Sequence, residues 1–98
     1  MMRLGKFAKS PQERKRYTID YTDWLETAET ISTALYTVRE VTSPALVVDA
    51  QSILTGNKKV SFYVSGGDDG DTYDVEIKIT TSTGQVKEDV VVFAVRDI

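Results

Sequence analysis

Carboxylates are the most abundant side chains of this sequence that could take part in acid–base or metal chemistry. The chain contains neither histidine nor cysteine, so the commonest general base, the commonest metal ligand and any thiolate site are missing. The loop Asp68-Asp69-Gly70-Asp71, with Asp74 close behind, offers oxygen atoms that suit Ca²⁺. Its spacing does not match an EF-hand, and a hard-cation site needs about six or more oxygens. We therefore expect no bound metal, and treat Asp68, Asp69 and Asp71 as a solvated turn that could contact a partner.

No set of residues predicts nucleophilic catalysis. Lys9 and Ser10 are adjacent, but their segment has little apolar material to hold or desolvate them, and a nucleophile needs a base oriented by a third group. We expect a protein that is not an enzyme and that has no cofactor and no small-molecule substrate.

The charged residues divide the chain into a basic start and an acidic remainder. Residues 1–16 carry six basic side chains and one acid, for a net charge of +5, whereas residues 17–98 carry six basic and fourteen acidic side chains, for −8. Gly5 and Pro11 interrupt the first segment, and no hydrophobic period is sustained there. These features predict an extended basic N-terminal arm over residues 1–16.

We expect this arm to bind a partner protein. The side chains proposed for that contact are Arg3, Lys6, Phe7, Lys9, Arg14, Lys15 and Arg16. Clustered opposite charges favour encounter with an acidic protein surface. The same arm could contact phosphates, but the acidic remainder of the chain would repel nucleic acid. Protein is therefore the favoured partner.

Alternating residues predict the strands that must position these groups. Tyr17, Ile19 and Tyr21 form one half-buried face. The stretch from Asp23 to Tyr36 could be an amphipathic helix that begins with a capping box at Asp23 and Glu26. Its many threonines favour the alternative of one helical turn at about Asp23–Thr27, followed by a strand from about Thr30 to Val38. Ser43-Pro44 breaks the chain before a short strand at Leu46 and Val48.

The second half predicts an all-β protein most clearly. Val60, Phe62 and Val64 share one face of a strand, Thr55-Gly56-Asn57 is a turn, and residues 66–71 form a glycine-rich loop. A long β-hairpin follows, whose expected inward residues are Tyr73, Val75, Ile77, Ile79, Val91, Phe93 and Val95. Six or seven strands in 98 residues predict a single antiparallel β-sandwich of immunoglobulin-like type over residues 17–98. Trp24 is expected in the core, and Tyr36 is open between core and interface.

The longest apolar run, Val90–Val95, is far shorter than the ~20 residues of a membrane-spanning helix. Arg3 and Lys6 interrupt any signal-peptide pattern at the start. We expect synthesis in the cytoplasm and no membrane partner.

The order of several short motifs resembles the small tailed-phage proteins known as fibre-tail adaptors. The matching residues are Lys9-Ser10-Pro11, Glu13, Tyr17-Thr18-Ile19-Asp20-Tyr21, Trp24-Leu25, Glu29-Thr30-Ile31-Ser32-Thr33, Val64-Ser65-Gly66-Gly67, Gly70, Thr72-Tyr73, Ile79-Thr80-Thr81-Ser82 and Gly84. The resemblance covers residues 9 to about 95. The family often has Trp at the positions of Tyr21 and Tyr36, and a less acidic loop at Asp68-Asp69.

This resemblance implies a bacteriophage virion protein with an Ig-like fold, made in the bacterial host. The expected role is a tail or head–tail adaptor that docks fibre or connector proteins, with other phage structural proteins and copies of itself as partners. A capsid decoration or cement protein is the alternative, and a glycan-binding Ig-like module is a third possibility.

Overall fold

A computed structural model describes residues 2–39 and 46–96, with side chains described from residue 5 onward. Seven strands follow one another along the chain. They are β1 (Met2–Lys9), β2 (Lys15–Asp20), β3 (Ile31–Val38), β4 (Leu46–Ile53), β5 (Lys59–Gly66), β6 (Thr72–Thr81) and β7 (Val86–Val95). The break predicted at Ser43-Pro44 lies outside the described residues.

The strands form two sheets packed as a sandwich, which confirms the all-β prediction. The larger sheet has the order β1-β7-β6-β3 and the smaller has the order β2-β5-β4. Successive side chains along each strand point to opposite faces of its sheet, and the apolar ones of one face point into the space between the two sheets. The core residues shared by the two sheets include the predicted sets on β5, β6 and β7: Val60, Phe62, Val64, Tyr73, Val75, Ile77, Ile79, Val91, Phe93 and Val95. Specific Ig-like features of the sandwich remain a prediction.

The predicted hairpin is present, since β6 pairs antiparallel with β7 from Thr72↔Ala94 to Thr80↔Val86. The glycine-rich loop is also where the sequence places it, between β5 and β6. Gly67 in this loop adopts φ +95, and a Cβ there would lie 2.7 Å from Val95 Cγ2. The loop is therefore packed onto the end of β7, and only glycine fits at this position.

The expectation of a separate, extended arm is wrong for residues 2–9. These residues form β1, which runs parallel to β7 from Met2↔Asp89 to Lys9↔Val95, with an irregularity between Arg3 and Gly5. The physical reason lies in β7, because Val90, Val92 and Ala94 are apolar on the face opposite to its core residues. A strand that is apolar on both faces is typical of the interior of a sheet, where another strand pairs with each of its two edges. The prediction of a purely antiparallel sandwich is corrected by the same pairing.

The single helical turn predicted at about Asp23–Thr27 lies two residues earlier, at residues 21–25, and the alternative of a helix from Asp23 to Tyr36 is wrong because β3 begins at Ile31. The segment between β2 and β3 consists of turns, with a single i→i+4 bond from the Leu25 N–H to Tyr21 O at 3.0 Å. Ala28 adopts φ 67, which ends any helical course. The Glu29 carboxylate, not Glu26, accepts the backbone N–H across the turn, at 3.0 Å from Glu26 N.

Trp24 is half-buried and packs against the edge of the core, as Tyr36 does. The Tyr36 ring lies 5.2 Å from that of Phe62, which assigns Tyr36 to the inner face of β3. Among the described residues, no helix is long and apolar enough to cross a membrane.

Candidate partner-binding surface

Strands β1 and β2 are outer strands of different sheets, and they meet along one side of the sandwich. Phe7 of β1 joins them, because its ring centroid lies 5.0 Å from that of Tyr17 on β2 and 5.8 Å from that of Phe93 on β7. The edge of Tyr17 packs on Phe93 at 5.0 Å. This aromatic cluster holds the predicted arm residues against the body, although Phe7 itself remains 43% exposed.

An open groove of about 240 Å³ lies beside this cluster. The residues that line it come from both sheets: Phe7, Tyr17, Thr18, Ile19, Asp20, Phe62 and Val91. Its walls are mostly aromatic and aliphatic, and Asp20 is the single charged side chain among them. A groove of this kind can accept an apolar side chain of a partner.

Three of the predicted basic residues are exposed on β1 and β2, the strands that contribute Phe7 and Tyr17 to this groove. Lys6 projects from β1, and Lys15 and Arg16 project from β2. Lys15 also lies near the Tyr17 ring, with Nζ 5.9 Å from its centroid. We call Lys6, Phe7, Lys15 and Arg16, together with the groove, the β1–β2 surface. Its exposed cations and its apolar groove suit an acidic partner that carries an apolar side chain.

Arg14 is placed elsewhere, on the outer face of the smaller sheet. Its guanidinium carbon lies 4.1 Å from the centroid of the Tyr63 ring, and Nη2 lies 3.3 Å from Asp49 Oδ1. Stacking on tyrosine and pairing with a carboxylate both occupy this cation. Arg14 therefore fixes the start of β2 to β4 and β5, a role that the sequence did not indicate.

Lys9 differs most from its predicted role as a docking residue. It is only 4% exposed, and its Nζ donates to Ser10 O at 2.6 Å and to Gly66 O at 2.5 Å. Burial lowers the pKa of Lys9, and the nearby Glu13 carboxylate partly opposes this effect. The prediction of Lys9 as a partner-binding residue is not supported by this geometry, because its ammonium ties the end of β1 to the end of β5.

The side chain of Arg3 lies outside the described part of the structure. In the acidic loop, Asp68, Asp69 and Asp71 are exposed. The Asp68 N–H donates to the Tyr73 hydroxyl at 3.0 Å, and the Asp71 N–H donates to Asp68 O at 3.1 Å. Over residues 2–39 and 46–96, no group of three or more acidic side chains is arranged to hold a metal ion.

Comparison with known proteins decides the family. The family model for the podophage GP4 fiber-tail adaptor protein gp77 matches residues 9–94. The match runs from the last residue of β1 to the second-last residue of β7 and so includes strands of both sheets. The chain belongs to this fibre-tail adaptor family. No curated protein matches it. Membership makes the protein a component of the phage particle with a tail-adaptor role, in a family of structural proteins that bind other phage structural proteins.

A buried polar cluster in the adaptor was not predicted either. Asp89 is fully buried on the inner face of β7, with Oδ1 3.4 Å from Lys87 Nζ. Burial, together with the neighbouring Asp89 carboxylate, raises the pKa of Tyr21. Lys87 Nζ also lies 5.6 Å from the centroid of the Trp24 ring. The cluster lies on the inner side of the sheet and ties the β2–β3 turn to β7.

The signal that could have indicated β1 lies in the residues of β7 and not in residues 1–16. The unbroken run Val90–Val95 is typical of a central strand. The hairpin with β6 pairs with only one edge of this strand, so the run indicates a further strand at its other edge.

Proposed function

We propose that this adaptor holds a fibre or connector protein against the phage tail, and that the β1–β2 surface is its contact with that protein. The observation that carries the proposal is that β1 and β2, which carry the exposed Lys6, Lys15 and Arg16, also contribute residues to one apolar groove. Family membership supports the tail role, and the geometry supports the place of contact.

The chemistry of the surface favours an acidic protein partner. Lys6, Lys15 and Arg16 are exposed, and Lys15 lies near the Tyr17 ring and the Glu13 carboxylate. Charged rims mainly accelerate encounter and select the partner, while an apolar side chain buried in the centre slows dissociation. The surface has both parts. Many copies repeated by the symmetry of the particle would make a modest affinity per copy sufficient.

The test is complementation of a phage that lacks the adaptor gene, with variants supplied in the host. We expect Arg16→Glu and Lys6→Glu to give particles that lose the adaptor or its fibre protein, as measured by quantitative mass spectrometry of purified particles. Arg96→Glu is the matched control, since Arg96 is also exposed and follows β7 outside the groove. Normal incorporation of Arg16→Glu and Lys6→Glu would contradict the proposed contact.

The same measurement separates this role from a capsid decoration protein. A tail adaptor follows the symmetry of the tail and should be present in tens of copies per particle, whereas a decoration protein should approach the copy number of the major capsid protein. A ratio near that of the capsid protein would overturn the tail proposal.

A further inference from the structure

The four outer strands of the two sheets differ in how well their edges are protected. Natural sheets discourage edge-to-edge pairing with charged side chains and bulges. Strand β1 carries Lys6 and Lys9, and β2 carries Lys15, Arg16 and Asp20. Strand β4 carries Asp49 and an irregularity between Asp49 and Ser52, where Ala50 adopts φ 49.

Strand β3 is the least protected over residues 33–38, since its irregularity lies at its start, between Ile31 and Thr33, where the Ile31 N–H donates to Asn57 O at 2.8 Å. Its eight residues, Ile31–Val38, include no charged side chain, no proline and no glycine. It pairs with β6 on one side, and within the described residues no strand pairs with its other side. Leu35 is 62% exposed, the largest exposed fraction among the large hydrophobic side chains of the described residues. Such a neutral strand with high β propensity is a ready template for another strand.

We propose that the β3 edge pairs with the β3 edge of a second copy of this chain, antiparallel about a twofold axis at Leu35. Antiparallel pairing centred there places Leu35 opposite its own equivalent. It also places Thr33 opposite Thr37, and Ala34 opposite Tyr36. The outer face then has a leucine pair flanked by threonine pairs, and the inner face has a small residue opposite a large one. These are favourable cross-strand combinations.

Charge distinguishes β3 from β1 and β2 as the edge at which a second copy can pair. Self-pairing of β1 or β2 would bring basic strands together, and like charges across strands are destabilising. At β3 the nearest charge in line with Leu35 is its cross-strand neighbour Lys78 on β6. In the dimer the two Lys78 residues would be three strand spacings apart, about 14 Å. This distance exceeds the Debye length of about 8 Å at physiological salt, so their repulsion is largely screened.

This pairing would hold two copies of the adaptor in one fixed relative orientation, which the β1–β2 surface alone does not do. In the larger sheet β1 and β3 are the two opposite edges, so pairing at β3 leaves β1 free in both copies. A continuous eight-stranded sheet results, with one β1–β2 surface at each end. The β3 contact does not depend on the function proposed for the β1–β2 surface.

The test is sedimentation equilibrium of the purified full chain from about 1 µM to about 1 mM. We expect a monomer–dimer equilibrium in the wild type. Leu35→Lys should weaken it by about tenfold or more, because two ammonium groups would face each other across the axis. Val47→Lys is the matched control, since Val47 is also an exposed large hydrophobic side chain, 48% exposed, on another outer strand, β4. It should leave the dimer unchanged.

A charge-swap experiment tests the register. Leu35→Glu alone should also be monomeric, but an equimolar mixture of Leu35→Lys and Leu35→Glu should form a 1:1 heterodimer. Circular dichroism melting should show that both variants are folded, as expected for so exposed a position. A wild type that stays monomeric throughout the range, a dimer that Leu35→Lys does not weaken, or a mixture that does not associate would each overturn the proposal.

Discussion

Replacing Lys9 by methionine distinguishes the role that the sequence predicts for this residue from the role that the structure gives it. Methionine keeps an unbranched apolar chain but removes the ammonium group. If Lys9 docks a partner, the variant should fold normally and fail in assembly. If it ties β1 to β5, the variant should lose stability.

The expected loss follows from the two carbonyl groups that Lys9 satisfies. Ser10 O and Gly66 O accept from Nζ at 2.6 and 2.5 Å. Hydrogen bonds from a charged donor contribute roughly 1.5–3 kcal/mol each. The cost of burying the ammonium, which also lowers the pKa of Lys9, offsets part of this gain. We therefore expect a net loss of about 2 kcal/mol in the free energy of unfolding, or about 8–16 °C in Tm for a domain of this size.

The assay is urea unfolding and thermal melting followed by circular dichroism, with Lys6→Met as the matched control. Lys6 is an exposed lysine of the same strand, so its replacement should change the free energy of unfolding by no more than about 0.5 kcal/mol. A Lys9→Met protein as stable as the wild type, but absent from particles, would refute the structural role and restore the docking role.

The pH dependence of the same pair of proteins gives a second readout. Because the pKa of Lys9 is lowered below 10.5 in the fold, the unfolded chain binds more protons than the folded chain between the lowered pKa and 10.5. The stability of the wild type relative to Lys9→Met should therefore rise as pH increases through this interval. A constant or falling difference would contradict the burial of a titrating ammonium.

Three further predictions test contacts in other parts of the sandwich. Gly67→Ala should lower the free energy of unfolding, measured in urea, by about 1–3 kcal/mol more than Gly70→Ala does. Both glycines have positive φ, but only the Cβ at Gly67 would approach β7 within 2.7 Å; equal effects would exclude the steric contact. Burial raises the pKa of Tyr36 from 10.0 to about 12, so this phenol contributes stability below pH 10 that is lost as pH rises to about 12. Tyr36→Phe should flatten the alkaline profile in urea titrations, and an unchanged slope would count against a buried phenol. Hydrogen bonds, chiefly from the Thr81 hydroxyl, lower the pKa of Glu29 below 4.5, so its stabilisation is present above that pH and lost as pH falls below it. Glu29→Gln should lower Tm at neutral pH and weaken the acid dependence of Tm, and an equally acid-sensitive variant would disprove this.

The elements found correctly from the sequence share one property: their pattern is local. Alternation fixed the inner faces of β5, β6 and β7 because residues two apart in a strand face the same side, whatever the strand pairs with. The turn between β4 and β5 was recognised because Gly56 and Asn57 adopt the positive φ values, 91 and 55, that their types tolerate.

The sequence identified the basic residues near the start of the chain, but it did not show which of them are exposed and which are held by contacts within the fold. Lys6, Phe7, Lys15 and Arg16 are exposed on β1 and β2, and their role in binding stays a prediction, whereas Lys9 and Arg14 contact carbonyl, aromatic and carboxylate groups from distant parts of the chain. A count of charges cannot separate these two classes, because exposure depends on which backbone atoms come within reach of each side chain after folding.

The amino-acid sequence by itself determined that this protein would be an all-β sandwich with a basic start, an acidic remainder and one uncharged strand at β3. Only the tertiary structure decided that residues 2–9 would become β1 beside β7 and that the ammonium of Lys9 would be enclosed. The physical reason is that strand periodicity arises between neighbouring residues, while the choice of pairing partner depends on contacts between residues about ninety positions apart, such as Gly5 and Val91. Those contacts stabilise the protein only after folding has brought the distant segments together, which costs loop-closure entropy.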